Sequence, residues 1–200
     1  MILLCSAVAA ELGFWRPREG VERLVTGVGP VEAACAVSSA LAHGTYELVV
    51  NAGLAGAFDG AARIGDGVVV AEDTMEVRLE SGDTFSLPRG ERTVEAAYSD
   101  ARVAQQLKSA GFPALRGVTV ARVTSTEATA QRLAQSQGAQ VESMEGFAVL
   151  RAAERAGIAA IEVRGISNRC GTRESSGWDF AAGIAGLKRI VDAVFEICTR

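Results

Sequence analysis

Short apolar runs alternate along this chain with segments that open on proline or aspartate and stop on glycine, and few folds accept that alternation. Ile2 to Val8, Leu48 to Val50, Val68 to Ala71 and Ile158 to Val163 read as apolar runs, the pattern of strands buried on both faces. Between them, Pro30 opens a helical segment that ends at Gly44, with proline first and glycine last. Asp100 is placed to cap a second helix that runs to Gly111, and Met144 to Ala156 stops at Gly157. Ala182 to Ile197 sets Ile184, Leu187, Ile190, Val191, Val194 and Phe195 on one stripe, a helix that caps a sheet. Between Ile64 and Leu87 the pattern looks antiparallel, with Gly82-Asp83 as a hairpin turn. The expected class is α/β, a single domain over residues 1–200 with a mixed sheet flanked by helices.

Composition narrows the partners. Hydrophobic residues at 48% and charged residues at 22% suit a globular fold rather than disorder. A formal net charge of −4 gives no electrostatic reason to bind nucleic acid or an anionic membrane, so a small molecule is the expected partner. The apolar start, Met1 to Ala10, lacks a basic flank and is followed by Glu11; it reads as a strand rather than a signal peptide, and a cytoplasmic protein is expected. Cys5, Cys35, Cys170 and Cys198 form no CxxC pair and read as reduced, mostly core thiols. His43 is the only histidine and closes a helical run, so neither a His-rich metal site nor a Ser-His-Asp triad has material. No metal or other cofactor is expected.

Ligands of open α/β sheets bind beyond the carboxyl ends of strands, and five such places stand out. Glu11 follows the first run; it is either a carboxylate facing a ligand or a first-turn acid at a helix N-terminus. Thr26-Gly27-Val28-Gly29-Pro30 feeds a helix N-terminus and suits an anion or a closely approaching sugar, although Glu32 occupies the third glycine position of a dinucleotide fingerprint. Asn51-Ala52-Gly53-Leu54-Ala55-Gly56 lets a ligand or backbone approach. Val141-Glu142-Ser143-Met144-Glu145 sets two carboxylates around a methionine, either as a site or as a capped helix start with Met144 in the core. Ile166-Ser167-Asn168 leads into a loop with Arg169, Arg173 and Trp178, where Trp178 either meets a ligand or anchors the last helix.

Taken in order, these segments and Gly65-Asp66 resemble the purine nucleoside phosphorylase and uridine phosphorylase superfamily over nearly the whole chain, above all its nucleosidase branch. Within that branch, ESMEGF and RGISNRCGTR with a following Trp look like the futalosine hydrolases of the alternative menaquinone route. The resemblance implies a partly barrel-like mixed sheet, a homodimer or larger homo-oligomer, and hydrolysis of futalosine to hypoxanthine. By it, Glu11 positions or deprotonates water and Glu145 binds the ribose hydroxyls. The groups around Met144 pack on the sugar, Gly53, Leu54 and Ser143 are further substrate-binding positions, and backbone groups near Val123 and Thr124 are placed for the base. On the loop after Asn168, Arg169, Arg173 and Trp178 have the chemistry to meet a carboxyphenyl group. Asn168 stands where adenine-releasing nucleosidases carry aspartate, and its amide favours a 6-oxopurine. Phosphorylases of this kind carry arginine and a hydroxyl residue at the positions of Asn51 and Leu54, which argues for water as nucleophile. A phosphorylase or nucleosidase acting on inosine-like or adenine nucleosides is the alternative enzyme, and a non-catalytic nucleoside-binding module the alternative to an enzyme.

Overall fold

The computed structural model describes residues 1–79, 83, 87–91, 93–172 and 177–198. The apolar runs become strands: β1 (Ile2–Ser6) is buried at all five positions, β3 (Leu48–Ala57) at nine of ten and β8 (Ala159–Arg169) at nine of eleven. The remaining strands are β2 (Val21–Val25), β4 (Gly67–Met75), β5 (Ala96–Tyr98), β6 (Ala114–Thr119) and β7 (Val141–Ser143). Interleaved with them are α1 (Pro30–His43), α2 (Ala101–Ser109), α3 (Glu127–Gln137), α4 (Gly146–Ala156) and α5 (Phe180–Cys198), and a short 3-10 turn spans Ala9–Leu12.

Five strands close on themselves. β8 lies parallel to β3 and antiparallel to β4, β4 pairs with β6, β6 with β7, and β7 with the far end of β3. β1 and β2 extend the sheet from the first half of β3, and β5 from the second half of β4. Successive residues point to opposite faces, so Leu4 and Val50 pack with α2 and α5 through Leu107, Leu187 and Phe195. Leu3 and Val49 pack on the other side with Val37 of α1 and Val149 of α4. No helix among the described residues is long and apolar enough to cross a membrane.

The local signals act where their chemistry predicts. Pro30 opens α1, the Asp100 side chain accepts from Val103 N at 2.9 Å to cap α2, and Gly157 takes the left-handed conformation that ends α4. The His43 ring sits at the end of α1 beside the Ser39 carbonyl. Two expectations need correction, and a third falls partly outside the described residues. The antiparallel neighbour of β4 on that side is β5, beyond Leu87, because Ala97 is fully buried beside β4 whereas Leu79 is exposed. Gly82 of the expected turn lies outside the described residues, while the Asp83 carbonyl accepts from Leu79 N at 2.9 Å. Met144 precedes its helix, which starts only at Gly146 after the short strand β7.

Glycine sets the contact between the sheet and α5. A Cβ on Gly165 of β8 would lie within 3 Å of the Gly183 carbonyl and of Leu187 N, and one on Gly67 of β4 within 3 Å of the Gly186 carbonyl. Backbone therefore packs on backbone here, and an added methyl must push the helix away. Gly165→Ala should cost about 3 kcal/mol, the upper end for overpacking, read as a lower urea midpoint with an unchanged slope. A Cβ at Gly60 meets nothing within 4 Å, so Gly60→Ala carries only backbone strain of about 1 to 2 kcal/mol.

Candidate active site

β1, β3 and β8 run parallel, so their carboxyl ends open on one side of the sheet, where they border a cavity of about 470 Å³. Glu11 sits in the turn after β1. Its Oε2 accepts from Val8 N at 3.2 Å, closing its own turn, and its Oε1 accepts from Leu54 N at 2.8 Å. It is thus both a first-turn acid and a group of the cavity wall. Glu145 enters from the start of α4, and its Oε1 accepts from Gly29 N at 3.0 Å. The anion at the Gly-rich turn before α1 is therefore the chain's own carboxylate, at a place where backbone N–H groups favour negative charge.

A buried cation joins these parts. Arg164 on β8 is 1% exposed, its Nε donates to Glu162 Oε1 at 2.8 Å and its Nη2 to Ser143 Oγ at 3.2 Å. Its Nη1 stands 3.8 Å from Glu145 Oε2. Burial works against its charge, but Glu162, Glu145 and Glu11 together outweigh that and raise its pKa above the usual arginine value. Arg164 Nη1 and Glu11 Oε1 both lie within 3 Å of where a Gly53 Cβ would stand. Gly53 therefore does not line the cavity; its missing side chain lets cation and carboxylate come together behind the wall.

Leu54, Ser143 and Met144 line the cavity, as do Val123 and Asn168. Thr124 stands behind the wall, donating its backbone N–H at 2.9 Å and its hydroxyl to Glu142. Trp178 lines the cavity and is 43% exposed, stacked on Phe180 with ring centroids 5.2 Å apart, so it meets the cavity rather than the core. Arg173 lies outside the described residues. Arg169 borders a different cavity, beside Asp59 and Glu127. Asn51 is buried, its Nδ2 has no partner among the described residues, and it does not border the cavity.

The chain is similar to known proteins along nearly its whole length. The phosphorylase superfamily model matches residues 20–197. The futalosine hydrolase of Thermus thermophilus is 32% identical over 88% of this chain and 83% of its own length, and that of Acidothermus cellulolyticus 38% identical over 86% and 73%. The chain belongs to the phosphorylase superfamily, in its futalosine hydrolase family. The futalosine hydrolase of Streptomyces coelicolor is 34% identical over 90% of the chain and 79% of its own length. Among solved structures, an MTA/SAH nucleosidase of Streptococcus pneumoniae with 8-aminoadenine superposes with a TM-score of 0.80 at 16% identity, covering 98% of each chain. S-adenosylhomocysteine nucleosidase from Streptococcus pyogenes gives 0.79 at 18% identity, covering 98% of this chain and 96% of that one. At such identities these two establish the shared fold.

Behind the cavity this member of the futalosine hydrolase family holds a second acidic pair, of which only Glu162, inside an apolar run, leaves a local sequence signal. Asp73 and Glu162 are fully buried on β4 and β8, and their carboxylates converge in the space left by Gly146, where a Cβ would meet both inside 3 Å. Asp73 Oδ1 accepts from Thr119 Oγ1 at 3.0 Å, whereas Glu162 has Arg164 as its partner. Burial, then the neighbouring Glu162, pushes the Asp73 carboxyl well above its ordinary value of 3.8, so the proton of the pair sits on Asp73. An acid whose pKa is raised on folding stabilises the fold fully below the unfolded value, and that stability is lost as pH rises through the folded value. Asp73→Asn keeps the Thr119 bond without the titration. Its stability relative to wild type should therefore climb as pH rises from about 4 towards 8, measured by denaturant unfolding at several pH values. A constant difference across that range would rule out the protonated Asp73.

Proposed function

We propose that this chain hydrolyses the N-glycosidic bond of futalosine, releasing hypoxanthine and dehypoxanthine futalosine on the alternative route to menaquinone. The observation that carries the reading is the pair Glu11 and Glu145, two buried carboxylates from different strand ends on one cavity, with Arg164 between them. Breaking the bond places positive charge on the ribose ring, and fixed carboxylates favour that charge in a site that excludes water. In this scheme Glu145 binds the ribose hydroxyls, Met144 packs on the sugar and Glu11 takes a proton from the attacking water. The new C–O bond forms at the anomeric carbon as the C–N bond breaks, and its electron pair leaves with the base. Asn168 offers an amide hydrogen to the departing base, whose charge strengthens that bond as it develops.

Water rather than phosphate is the nucleophile in this reading. The two positions at which phosphorylases of the superfamily hold the anion are the unreaching Asn51 and the apolar Leu54. The released sugar should thus carry no phosphate even in phosphate buffer, checked by chromatography of the products; a sugar 1-phosphate would move the chain to the phosphorylases. Glu11→Gln should lower kcat by about 10² to 10⁴ with little change in KM, the contribution of a general base. Near-normal turnover would remove Glu11 from that role.

The Trp178–Phe180 stack offers a flat apolar face at the cavity mouth, suited to the aryl group of futalosine. Trp178→Ala should reduce kcat/KM for futalosine roughly three- to tenfold more than for inosine, the scale of one aromatic contact. Equal losses would show that the stack serves the fold alone. The proposal includes a cytoplasmic homo-oligomer: four cysteines without a disulfide and exposed Val28 and Val31 beside the cavity mouth support it.

A further inference from the structure

We infer that Glu142 reads the base, accepting a hydrogen bond from N1–H of a 6-oxopurine held between it and Asn168. This assignment rests on the proposed release of hypoxanthine and adds to it the group that tells hypoxanthine from adenine. Glu142 belongs to the cavity wall yet has no part in the sugar chemistry.

The sheet register places the slot. Gly56 of β3 pairs with Glu142 of β7 on one side and, after a bulge at Ala55/Gly56, with Asn168 of β8 on the other. Residues abreast on neighbouring strands present their side chains to the same face, and two strand spacings set their backbones about 10 Å apart. Between them Gly56 contributes no side chain, and Cys170 Sγ and Asn168 Nδ2 stand 2.8 and 2.9 Å from where its Cβ would be. Gly56, Glu142 and Asn168 all border the cavity, with a carboxylate on one side of the glycine and an amide on the other.

The hydrogen bonds already made leave the matching groups free. Asn168 Oδ1 accepts from Ser167 Oγ at 3.0 Å and one Nδ2 hydrogen goes to the Arg169 carbonyl at 2.9 Å, so the second hydrogen remains for an acceptor. Glu142 is 6% exposed, and among the described residues its hydrogen bonds come only from Thr124, one to each oxygen. A carboxylate oxygen takes a second donor; burial raises the Glu142 pKa and the Thr124 bonds lower it, and a further N1–H donor would favour the carboxylate in the same way. Hypoxanthine presents N1–H, O6 and N7 in sequence along one edge: a donor for Glu142, then acceptors for Asn168. Adenine has a bare N1, an acceptor that would face the carboxylate's lone pairs and leave it desolvated without a partner.

Binding of free bases tests this apart from turnover. Isothermal titration of the wild-type chain with hypoxanthine, 1-methylhypoxanthine and adenine should give hypoxanthine at least tenfold tighter than either of the others, since 1-methylhypoxanthine lacks only the N1–H donor and puts a methyl in its place. Glu142→Gln should narrow the hypoxanthine-to-adenine ratio at least tenfold, because its amide can donate to adenine N1. Equal affinity of the wild type for hypoxanthine and 1-methylhypoxanthine, or a loss in Glu142→Gln that is the same for both natural bases, would overturn the assignment and leave Glu142 as a brace for Thr124. Should the wild type bind hypoxanthine with this N1–H dependence but fail to cleave futalosine, the substrate proposal falls and the role of Glu142 stands. Cleavage of futalosine without N1–H dependence gives the reverse.

Discussion

One buried guanidinium ties the site to the fold. Taking an arginine out of water costs several kcal/mol unless its charge and its donors are met, and Arg164 is met from three elements: Glu162 on its own strand, Ser143 at the end of β7, and Glu145 at the start of α4. Two glycines make the arrangement possible, Gly53 in front of the guanidinium and Gly146 beside Glu162. A lysine would supply the charge but not the planar fork that reaches Glu162 and Ser143 at once. The strands converging on Arg164 thus fix where Glu145 stands before any ligand arrives.

Closure of the five-stranded ring explains why the polar residues meet at one end. β3 and β8 run side by side for their whole length, then shift register by one residue at Ala55/Gly56. The shift brings both Ser167 and Asn168 to the cavity, which strict alternation would forbid. β7 is only three residues long, yet it closes the ring against Gly56 and Ala57 and delivers both Glu142 and Ser143 to the cavity wall. A bulge and a short strand, both costly in a plain sheet, carry polar groups that line the cavity.

Elements with a strong local code were legible in the sequence. Pro30 and Gly44 mark the ends of α1 to the residue, and the stripe from Leu187 to Phe195 is the buried face of α5. α3 is different: Thr126 caps it by accepting from Thr129 N and Gly138 closes it in the left-handed conformation, so its ends were signalled, but only Ala130, Leu133 and Gln137 are buried and no apolar stripe draws notice. Glu11, Glu145 and Asn168 were legible through the family resemblance, Glu11 and Glu145 beyond the ends of β1 and β7 and Asn168 next to the last residue of β8. Arg164, Glu162 and Asp73 were not, because each lies inside a strand and owes much of its meaning to partners far away in the chain, as the 21-residue separation of Arg164 and Ser143 and the 46-residue separation of Asp73 and Thr119 show. Glu162 even interrupts an apolar run, and a lone charge in such a run is a sign of a buried pair.

For the proposed hydrolysis, the arrangement around Glu145 matters more than any single contact. A carboxylate that must swing into place as charge develops spends part of its interaction on its own reordering, whereas one already held spends none. Gly29 N–H and Arg164 hold Glu145 from two sides, and Val8 N–H and Leu54 N–H do the same for Glu11. Each carboxylate oxygen keeps a further lone pair for a ribose hydroxyl or a water. The surrounding wall is largely apolar, with Val28, Leu54, Met144 and Ile184 among its residues, so little water competes for the developing charge and the fixed carboxylates act in a medium of low dielectric. The fold thus meets the cost of bringing charges together when it forms, through Arg164, and the reacting sugar encounters an environment already arranged for a cation.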